Sequence, residues 1–248
     1  MPAPDTPALS IVIPAYNEAK RLPRTLETVL GYLDRRGVAA EVLVVDNGST
    51  DTTPALAREW AQRDRRVRAL DTGGVRGKGV AVRTGMRAAR GVRVLFSDAD
   101  LATPIEEVEK LETELDRGAG VAIASRALPG SDIQVHQSAL RETMGRAFNR
   151  VVQMLAAPGI VDTQCGFKLF TADAARRIFA VQWLNGFAFD VEAVFLARRM
   201  GFRVAEVPVV WRHDADSKVR MWRDGITMLW DIVTVRWAAW RGRYNERP

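Results

Sequence analysis

The 248-residue sequence predicts an α/β fold in which helices flank a mostly parallel sheet. In the first half, apolar runs of strand length alternate at least four times with segments whose apolar residues recur at helical spacing. Several runs end abruptly in polar residues, as strands do where a parallel sheet opens into a ligand crevice. Because neither a repeat nor a low-complexity linker interrupts the pattern, we predict a single domain over residues 1–248.

The predicted elements of the first half follow one another regularly. Strands are expected at 9–14, 41–45, 66–70, 92–96 and 121–124, and helices at 18–36, 52–64, 78–90 and 104–117. Pro14 is expected to end the first strand because proline has no backbone N–H. Ser49 or Thr50 is the predicted cap of the second helix.

The alternation loosens from about residue 127. Helices are expected at 138–157, from 171 and at 188–200, with a polar segment at 162–168 and a strand at 203–210. The last stretch, at about 221–243, is predicted to be an amphipathic helix in which tryptophans lie among arginines. That composition suits the headgroup boundary of a membrane, and packing on the sheet or in a dimer is the alternative.

The chain is basic, with 36 Lys and Arg against 30 Asp and Glu and a formal charge of +6. The excess of cations, most of them Arg in a chain also rich in Ala, reflects either a GC-rich genome or attraction to phosphates or an anionic membrane surface. No zinc-finger, basic-zipper or RNA-binding motif is present, so no nucleic-acid partner is expected.

A single cysteine, Cys165, excludes an internal disulfide and a cysteine-rich metal site. Residues 1–9 do not resemble a signal peptide, and no run reaches the roughly 18 apolar residues of a membrane-spanning helix. We therefore expect a cytoplasmic protein, with peripheral binding at the cytoplasmic face of the membrane as a further option.

The most informative motif is a pair of carboxylates, Asp98 and Asp100, at the end of the fourth predicted strand. At this spacing on a strand, both side chains would point to the same side, toward the crevice. A hard divalent cation such as Mg²⁺ or Mn²⁺ takes carboxylates, waters and substrate phosphates as ligands, which implies a diphosphate-containing substrate. The alternative is a strand followed by an Asp-rich turn.

Three other polar positions are predicted near the same edge. Tyr16 follows the first strand and could stack on a base, although this segment also reads as a simple connection capped by Asn17. Asp46 ends the second strand and could accept a hydrogen bond from a base N–H or a ribose hydroxyl. An Asx turn explains an aspartate at this position equally well. Lys78 lies in a glycine-rich loop and could reach a base, ribose or phosphate, although the loop lacks the P-loop pattern.

Together these motifs resemble family 2 glycosyltransferases of the GT-A (Rossmann-like) fold. The resemblance rests on PAYNE at 14–18, DNGSTD at 46–51, RGKGVAVRTGM at 76–86, SDADLAT at 97–103 and SR at 125–126. Later segments are similar to dolichyl-phosphate β-glucosyltransferases and, more distantly, to polyprenyl-phosphate mannose synthases: DTQCGFKLF at 162–170, FDVE at 189–192 and SK at 217–218. The resemblance implies a nucleotide-sugar-binding half at about 9–126 and an acceptor half at about 127–220, followed by the C-terminal amphipathic helix.

The resemblance also implies site residues. The nucleoside would be held by Pro14, Ala15, Tyr16, Glu18 and Asp46. Asp98 would contact the ribose or the metal and Asp100 would be the principal metal ligand, with Ala99 between them in the nucleotide-sugar site. Arg126 and Lys218 would face the diphosphate and the acceptor phosphate. The sugar and acceptor side would be lined by Asp162, Gln164 and Asp190.

Three departures from the family pattern qualify these roles. Asn47 stands where the family usually has a second aspartate, so Asp46 would be the single base-reading carboxylate. Ala102 stands where mannose synthases tend to have a glutamine ligand, which favours glucose over mannose and leaves a metal position to water. The eukaryotic members carry an N-terminal membrane anchor that this sequence does not show.

The predicted reaction is an inverting, metal-dependent transfer of a hexose from a nucleotide-diphosphate sugar to a polyprenyl or dolichyl phosphate. UDP-glucose is the favoured donor and GDP-mannose the other candidate. A lipid phosphate needs no general base, whereas a hydroxyl acceptor would need one, for which Asp190 is the candidate. Two alternatives remain open at this point: transfer to a small hydroxyl acceptor, and non-catalytic binding of a nucleotide sugar.

Overall fold

The computed structural model describes residues 6–133, 157–212 and 221–244. The strands are β1 (Leu9–Ala15), β2 (Ala40–Asp46), β3 (Val67–Asp71), β4 (Arg93–Ser97), β5 (Val121–Ser125), β6 (Asp132–Ile133), β7 (Phe167–Thr171), β8 (Val204–Pro208) and β9 (Val210–Trp211). The helices are α1 (Leu22–Arg36), α2 (Thr53–Arg63), α3 (Lys78–Ala88), α4 (Val108–Asp116), α5 (Ala172–Val181), α6 (Phe189–Arg199) and α7 (Met221–Trp240). A 3-10 turn at Ile105–Glu107 precedes α4.

Seven of these strands form one sheet, in the order β3-β2-β1-β4-β7-β5-β8. Every neighbouring pair is parallel except those of β7, which runs antiparallel to both β4 and β5. The parallel strands β6 and β9 form a separate two-stranded ribbon. The predicted α/β fold with a mostly parallel sheet and flanking helices is therefore confirmed.

Strand β7 is the main element that the sequence analysis missed. Residues 162–168 were assigned to a polar segment, but Phe167–Thr171 fills the centre of the sheet between β4 and β5. The assignment failed because Lys168 interrupts the apolar run, and an isolated lysine usually indicates a solvent-exposed position. Here Lys168 is buried, and its charge is paired inside the protein.

Two local predictions near the site were wrong. Strand β1 continues through Pro14 to Ala15, since β4 pairs with β1 only as far as Val12 and leaves the missing proline N–H without a ladder partner. Neither Ser49 nor Thr50 caps α2. Instead, an Oδ1 atom of Asp51 accepts the backbone N–H of Thr53 at 2.9 Å.

Both faces of the sheet are covered by apolar layers. Along β1, Ile11 and Ile13 belong to the buried cluster that includes α1, whereas Val12 belongs to the cluster on the opposite face, which includes α3. Helix α3 approaches the sheet closely, because a Cβ at Gly85 would lie 2.3 Å from a methyl group of Val12. Each fully buried aliphatic side chain contributes about 1.5–3 kcal/mol, so these layers fix the strand ends that carry the site.

Some predictions fall outside the described residues. These are the helix at 138–157, except for its last residue, and Lys218. The predicted C-terminal helix is present as α7. Within the ranges that the structure describes, no helix is both long enough and apolar enough to cross a bilayer.

Candidate active site

The candidate site lies at the carboxyl ends of β1, β2 and β4, where the three parallel strands meet at one edge of the sheet. Polar loops follow each strand, and the glycine-rich loop before α3 joins them through a hydrogen bond from the Gly77 N–H to Asn47 Oδ1 at 2.8 Å. Both non-glycine residues described with positive φ, Asn17 (53°) and Leu101 (47°), lie in these loops. Such strained positions cluster at functional sites.

The Asp98–Asp100 pair lies on a turn that follows β4 rather than on the strand itself. Strand alternation therefore does not orient the two carboxylates, contrary to the prediction from their spacing. The turn is fixed by hydrogen bonds from Asp98 N–H to the Gly166 carbonyl at 2.9 Å and from Ala102 N–H to Asp100 Oδ1 at 3.0 Å. Asp100 is exposed, as a ligand for an incoming metal must be, while Asp98 is partly buried.

Lys78 forms an ion pair with the first of these carboxylates, at 2.7 Å between Nζ and Asp98 Oδ1. Burial favours the neutral amine, but the negative charges of Asp98, Asp190 and Asp100 outweigh that effect and raise the pKa of Lys78. The ammonium also lies 5.4 Å from the ring centre of Phe96. Lys78 is therefore held as a cation beside the acidic turn.

Tyr16 directly follows β1 at the same edge and is 37% exposed. The Arg76 guanidinium lies 5.9 Å from the centre of its ring. Asn17 does not cap a helix. Its N–H donates to Ser49 Oγ at 2.9 Å, and its Oδ1 accepts the N–H of Thr50 at 2.8 Å. These bonds join the loops after β1 and β2 and present the Tyr16 ring at the surface.

The remaining residues predicted to hold the nucleoside lie in the same loops. Asp46 accepts the N–H groups of Gly48 (3.2 Å) and Ser49 (3.3 Å), the Asx-turn arrangement that the sequence left open. Glu18 forms an ion pair with Arg21 at 3.1 Å. Three further positions, Pro14, Ala15 and Ala99, are half-buried or buried and carry no polar side-chain group.

Arg126 and Asp162 form a forked ion pair across the acceptor side. Arg126 Nε donates to Asp162 Oδ2 at 2.7 Å, and Nη2 donates to Oδ1 at 2.8 Å. Burial would raise the pKa of Asp162, but the guanidinium outweighs it and holds that pKa below its usual range. The backbone N–H of Gln164 also donates to Asp162 Oδ1, at 3.3 Å. This geometry gives Asp162 the position of a group that orients Arg126.

Asp190 forms a buried ion pair with Lys168, a residue to which the sequence analysis gave no role. Lys168 Nζ also donates to the Cys165 carbonyl at 2.6 Å. It lies 5.6 Å from the ring centre of Phe96, the same ring that Lys78 contacts. Burial raises the pKa of Asp190, and the ammoniums of Lys168 and Lys78 oppose that effect. A charged residue inside the apolar run of 167–170 was the available signal for this pair.

Two carboxylates of the site are candidate ligands for a divalent cation. Within residues 6–133, 157–212 and 221–244, no group of three acidic, histidine or cysteine side chains is arranged to hold a metal. Asp98 and Asp100 supply hard carboxylate oxygens, which fits Mg²⁺ or Mn²⁺ provided that water and substrate phosphates complete the shell. Cys165 does not contribute a thiolate, because burial raises its pKa to about 11.

Comparison with known proteins places this arrangement in a family. The model of Glycosyl transferase family 2 matches residues 10–179. The dolichyl-phosphate beta-glucosyltransferase of Drosophila melanogaster is 38% identical over 259 residues, covering 96% of this chain and 78% of the fly protein. The Homo sapiens protein of the same name is 37% identical over 253 residues, covering 95% and 78%. The Saccharomyces cerevisiae protein of that name is 34% identical over 256 residues, covering 96% and 77%.

Solved structures share the fold. The glucosyl-3-phosphoglycerate synthase of Mycobacterium tuberculosis in complex with Mn²⁺, UDP-glucose and phosphoglyceric acid superposes with a TM-score of 0.70 at 16% identity, covering 98% of this chain and 81% of that one. The mannosyl-3-phosphoglycerate synthase of Rubrobacter xylanophilus gives 0.65 at 18% identity, covering 98% and 77%. These likenesses confirm the GT-A fold, and the family model and the sequence relatives show that the chain is a glycosyltransferase belonging to glycosyl transferase family 2.

Proposed function

We propose that the protein transfers glucose from UDP-glucose to a polyprenyl or dolichyl phosphate, with inversion at the anomeric carbon. The observation that carries the proposal is the 34–38% identity, over nearly the whole chain, to proteins named dolichyl-phosphate beta-glucosyltransferase. The geometry supports it, since Lys78 pairs with Asp98, and Arg126, held by Asp162, also lies within the electrostatic influence of Asp98. Positive charge from two side chains suits a reaction in which a diphosphate leaves and a phosphate attacks.

In the proposed reaction, an oxygen of the lipid phosphate forms the new bond to the anomeric carbon. The bond from that carbon to the diphosphate breaks on the opposite face, and UDP departs with the electron pair. The attacking phosphate is already an anion near neutral pH, so no side chain needs to remove a proton. This removes the demand for a general base, which agrees with the engagement of Asp190 by Lys168.

Each predicted residue keeps a distinct proposed task. Tyr16 would stack on the uracil. Asp46 would accept a hydrogen bond from the nucleoside in addition to those from the backbone of its own turn. Asp100, with Asp98, would hold a Mg²⁺ or Mn²⁺ ion that offsets the charge of the leaving diphosphate. Arg126, oriented by Asp162, would contact a phosphate through Nη1, which makes no hydrogen bond to the described residues. Lys218 would add a second cation on the acceptor side.

The test supplies the purified protein with radiolabelled UDP-glucose, Mn²⁺ and a detergent-dispersed polyprenyl phosphate. Parallel reactions contain GDP-mannose as donor or a panel of sugar and natural-product alcohols as acceptor. We expect label from UDP-glucose in the organic phase alone. Label confined to aqueous products would show a hydroxyl acceptor and overturn the lipid assignment, and transfer from GDP-mannose alone would overturn the donor.

A matched pair of variants ties turnover to the site. Asp100→Ala should abolish metal-dependent transfer. Asp173→Ala, which removes an exposed carboxylate on α5 far along the chain from the acidic turn, should leave the rate within about twofold. Full activity of Asp100→Ala would contradict the role proposed for this carboxylate.

A further inference from the structure

Helix α7 carries large apolar side chains on its outer side as well as its inner side. Ile232, Val235, Ala238 and Ala239 are buried. Trp230 (70% exposed), Val233 (50%), Trp237 (50%) and Trp240 (82%) are not. At 100° per residue, these four exposed residues fall within an arc of about 80°. We call this surface the tryptophan face. It holds most of the large apolar side chains that the described part of the chain exposes.

The orientation of the tryptophan face is fixed by contacts at the end of the helix. The Tyr244 hydroxyl donates to Glu192 Oε1 at 2.8 Å and accepts from Trp183 Nε1 at 2.7 Å. Glu192 is fully buried on α6 and also accepts the backbone N–H groups of Trp183 (3.0 Å) and Leu184 (2.9 Å). The buried side of α7 is therefore tied to the core, and the four apolar residues point outward.

Positive charge borders the tryptophan face. Arg236 and Arg241 are exposed, and the Arg241 guanidinium lies 3.8 Å from the ring centre of Trp237. No Asp or Glu occurs between residues 232 and 244. Tryptophan beside arginine suits a bilayer interface, where the rings enter the headgroup boundary and the cations meet anionic lipids. A two-fold contact with a second copy would instead bring these arginines toward one another.

We propose that the tryptophan face docks on the surface of an anionic bilayer, with α7 lying in the plane of the interface. Docking there would also hold the donor site near the lipid. Asp231 Oδ2 would lie 3.9 Å from a Cβ at Gly186, so α7 runs beside the 182–188 loop. That loop supports Lys78, because the Asn185 carbonyl accepts the N–H of Gly79 at 2.9 Å. Docking is measured without any substrate, so its outcome does not depend on the identity of the acceptor.

The experiment floats the full chain with vesicles of phosphatidylcholine containing about 30% phosphatidylglycerol, in the absence of nucleotide sugar. The combined variant Trp230→Ser, Trp237→Ser, Trp240→Ser should lower the apparent affinity at least tenfold. Arg236→Gln with Arg241→Gln should reduce the preference for anionic over neutral vesicles, by roughly fivefold for each charge removed. Val92→Ser, which replaces an exposed apolar residue elsewhere, is the control and should bind as the parent does.

Brominated lipids and sedimentation complete the test. Bromine near the acyl-chain boundary should quench the tryptophan fluorescence of the parent and not that of the triple variant, whose thermal unfolding should match the parent. Failure of the parent to float, or unchanged flotation of the triple variant, would overturn the proposal. A parent dimer that the triple variant dissociates would also overturn it, because the occupant of the face would then be a second copy. Glucosyl transfer to a detergent-dispersed acceptor is measured separately. A negative flotation result therefore does not contradict the proposed function, and absence of transfer does not contradict docking.

Discussion

The carboxylate of Asp98 occupies the space in which a side chain at position 166 would lie. A Cβ at Gly166 would be 1.9 Å from Asp98 Oδ2, well inside van der Waals contact, and the Gly166 carbonyl accepts the Asp98 N–H at 2.9 Å. The glycine in the DTQCGFKLF segment is therefore required by the acidic turn, which lies 68 positions earlier in the chain. A side chain at position 166 would therefore displace Asp98, one of the two carboxylates predicted to bind the metal.

Gly166→Ala should displace the Asp98 carboxylate and break its pair with Lys78. Because a misplacement of about 1 Å can cost on the order of 100-fold, we expect kcat/KM for UDP-glucose to fall by roughly that factor. Steady-state kinetics across a range of Mn²⁺ concentrations measures the effect.

The control for this change is Gly31→Ala within α1, where a Cβ would meet only Arg35 Nη1, at 3.7 Å. It should keep full activity and gain up to about 1 kcal/mol of stability from helix propensity. Equal activities of the two variants would contradict a positioning role for Gly166.

Prediction from sequence succeeded where local pattern decides the structure. The predicted strand ends at 14, 45 and 96 each fall one residue short of the observed ends at Ala15, Asp46 and Ser97, and parallel strands bring such ends to one edge. It failed where a distant residue decides it. Lys168 is compatible with a central strand only because Asp190, 22 positions away, neutralises its charge. A lysine inside an apolar run indicates that a buried partner is needed, but neither local segment identifies Asp190 as that partner.

The Arg126–Asp162 pair should make stability depend on pH. The folded state holds the pKa of Asp162 below its unfolded value of about 3.9. The ionised carboxylate therefore contributes its full stability above about pH 4, and that contribution is lost as the pH falls through the folded pKa. Asp162→Asn should lower the free energy of unfolding by about 3 kcal/mol at pH 7, because it leaves the Arg126 guanidinium without its ionic partner.

Urea denaturation between pH 3 and 7 tests this expectation. The difference between the parent and Asp162→Asn should shrink below pH 4. Asp116→Asn, which removes an exposed partner of Arg93 at 2.5 Å, should cost less than about 1 kcal/mol at any pH. A deficit of Asp162→Asn that stays constant down to pH 3 would show that the ionised carboxylate is not its source.

The buried Lys168–Asp190 pair should show strong coupling. Lys168→Met leaves the buried Asp190 carboxylate without its ion-pair partner, so about 3–5 kcal/mol of stability should be lost at pH 7. Burial already raises the pKa of Asp190, and loss of the ammonium should raise it further. A carboxyl with a raised folded pKa stabilises the protein most below its unfolded pKa, and this contribution is lost as the pH rises through the folded value.

Lys168→Met should therefore recover part of its stability between pH 7 and about pH 4. A double-mutant cycle with Asp190→Asn should give a coupling energy of at least about 2 kcal/mol. Additive losses, or a deficit that grows on acidification, would mean that the two side chains do not act as a pair.

Metal affinity should depend on the nucleotide. Asp98 and Asp100 supply only carboxylate oxygens, Asp98 is already paired with Lys78, and Ala102 offers no ligand where the resemblance to mannose synthases places a glutamine. A hard cation bound here must draw the rest of its coordination shell from diphosphate and water.

Electron paramagnetic resonance of free Mn²⁺ should therefore show weak binding to the protein alone and at least tenfold tighter binding with UDP. Asp100→Asn should abolish that increase, whereas Ala102→Gln should tighten binding in the absence of UDP by adding an amide oxygen. Equal Mn²⁺ affinity with and without UDP would show that the protein holds the ion with ligands other than these two aspartates.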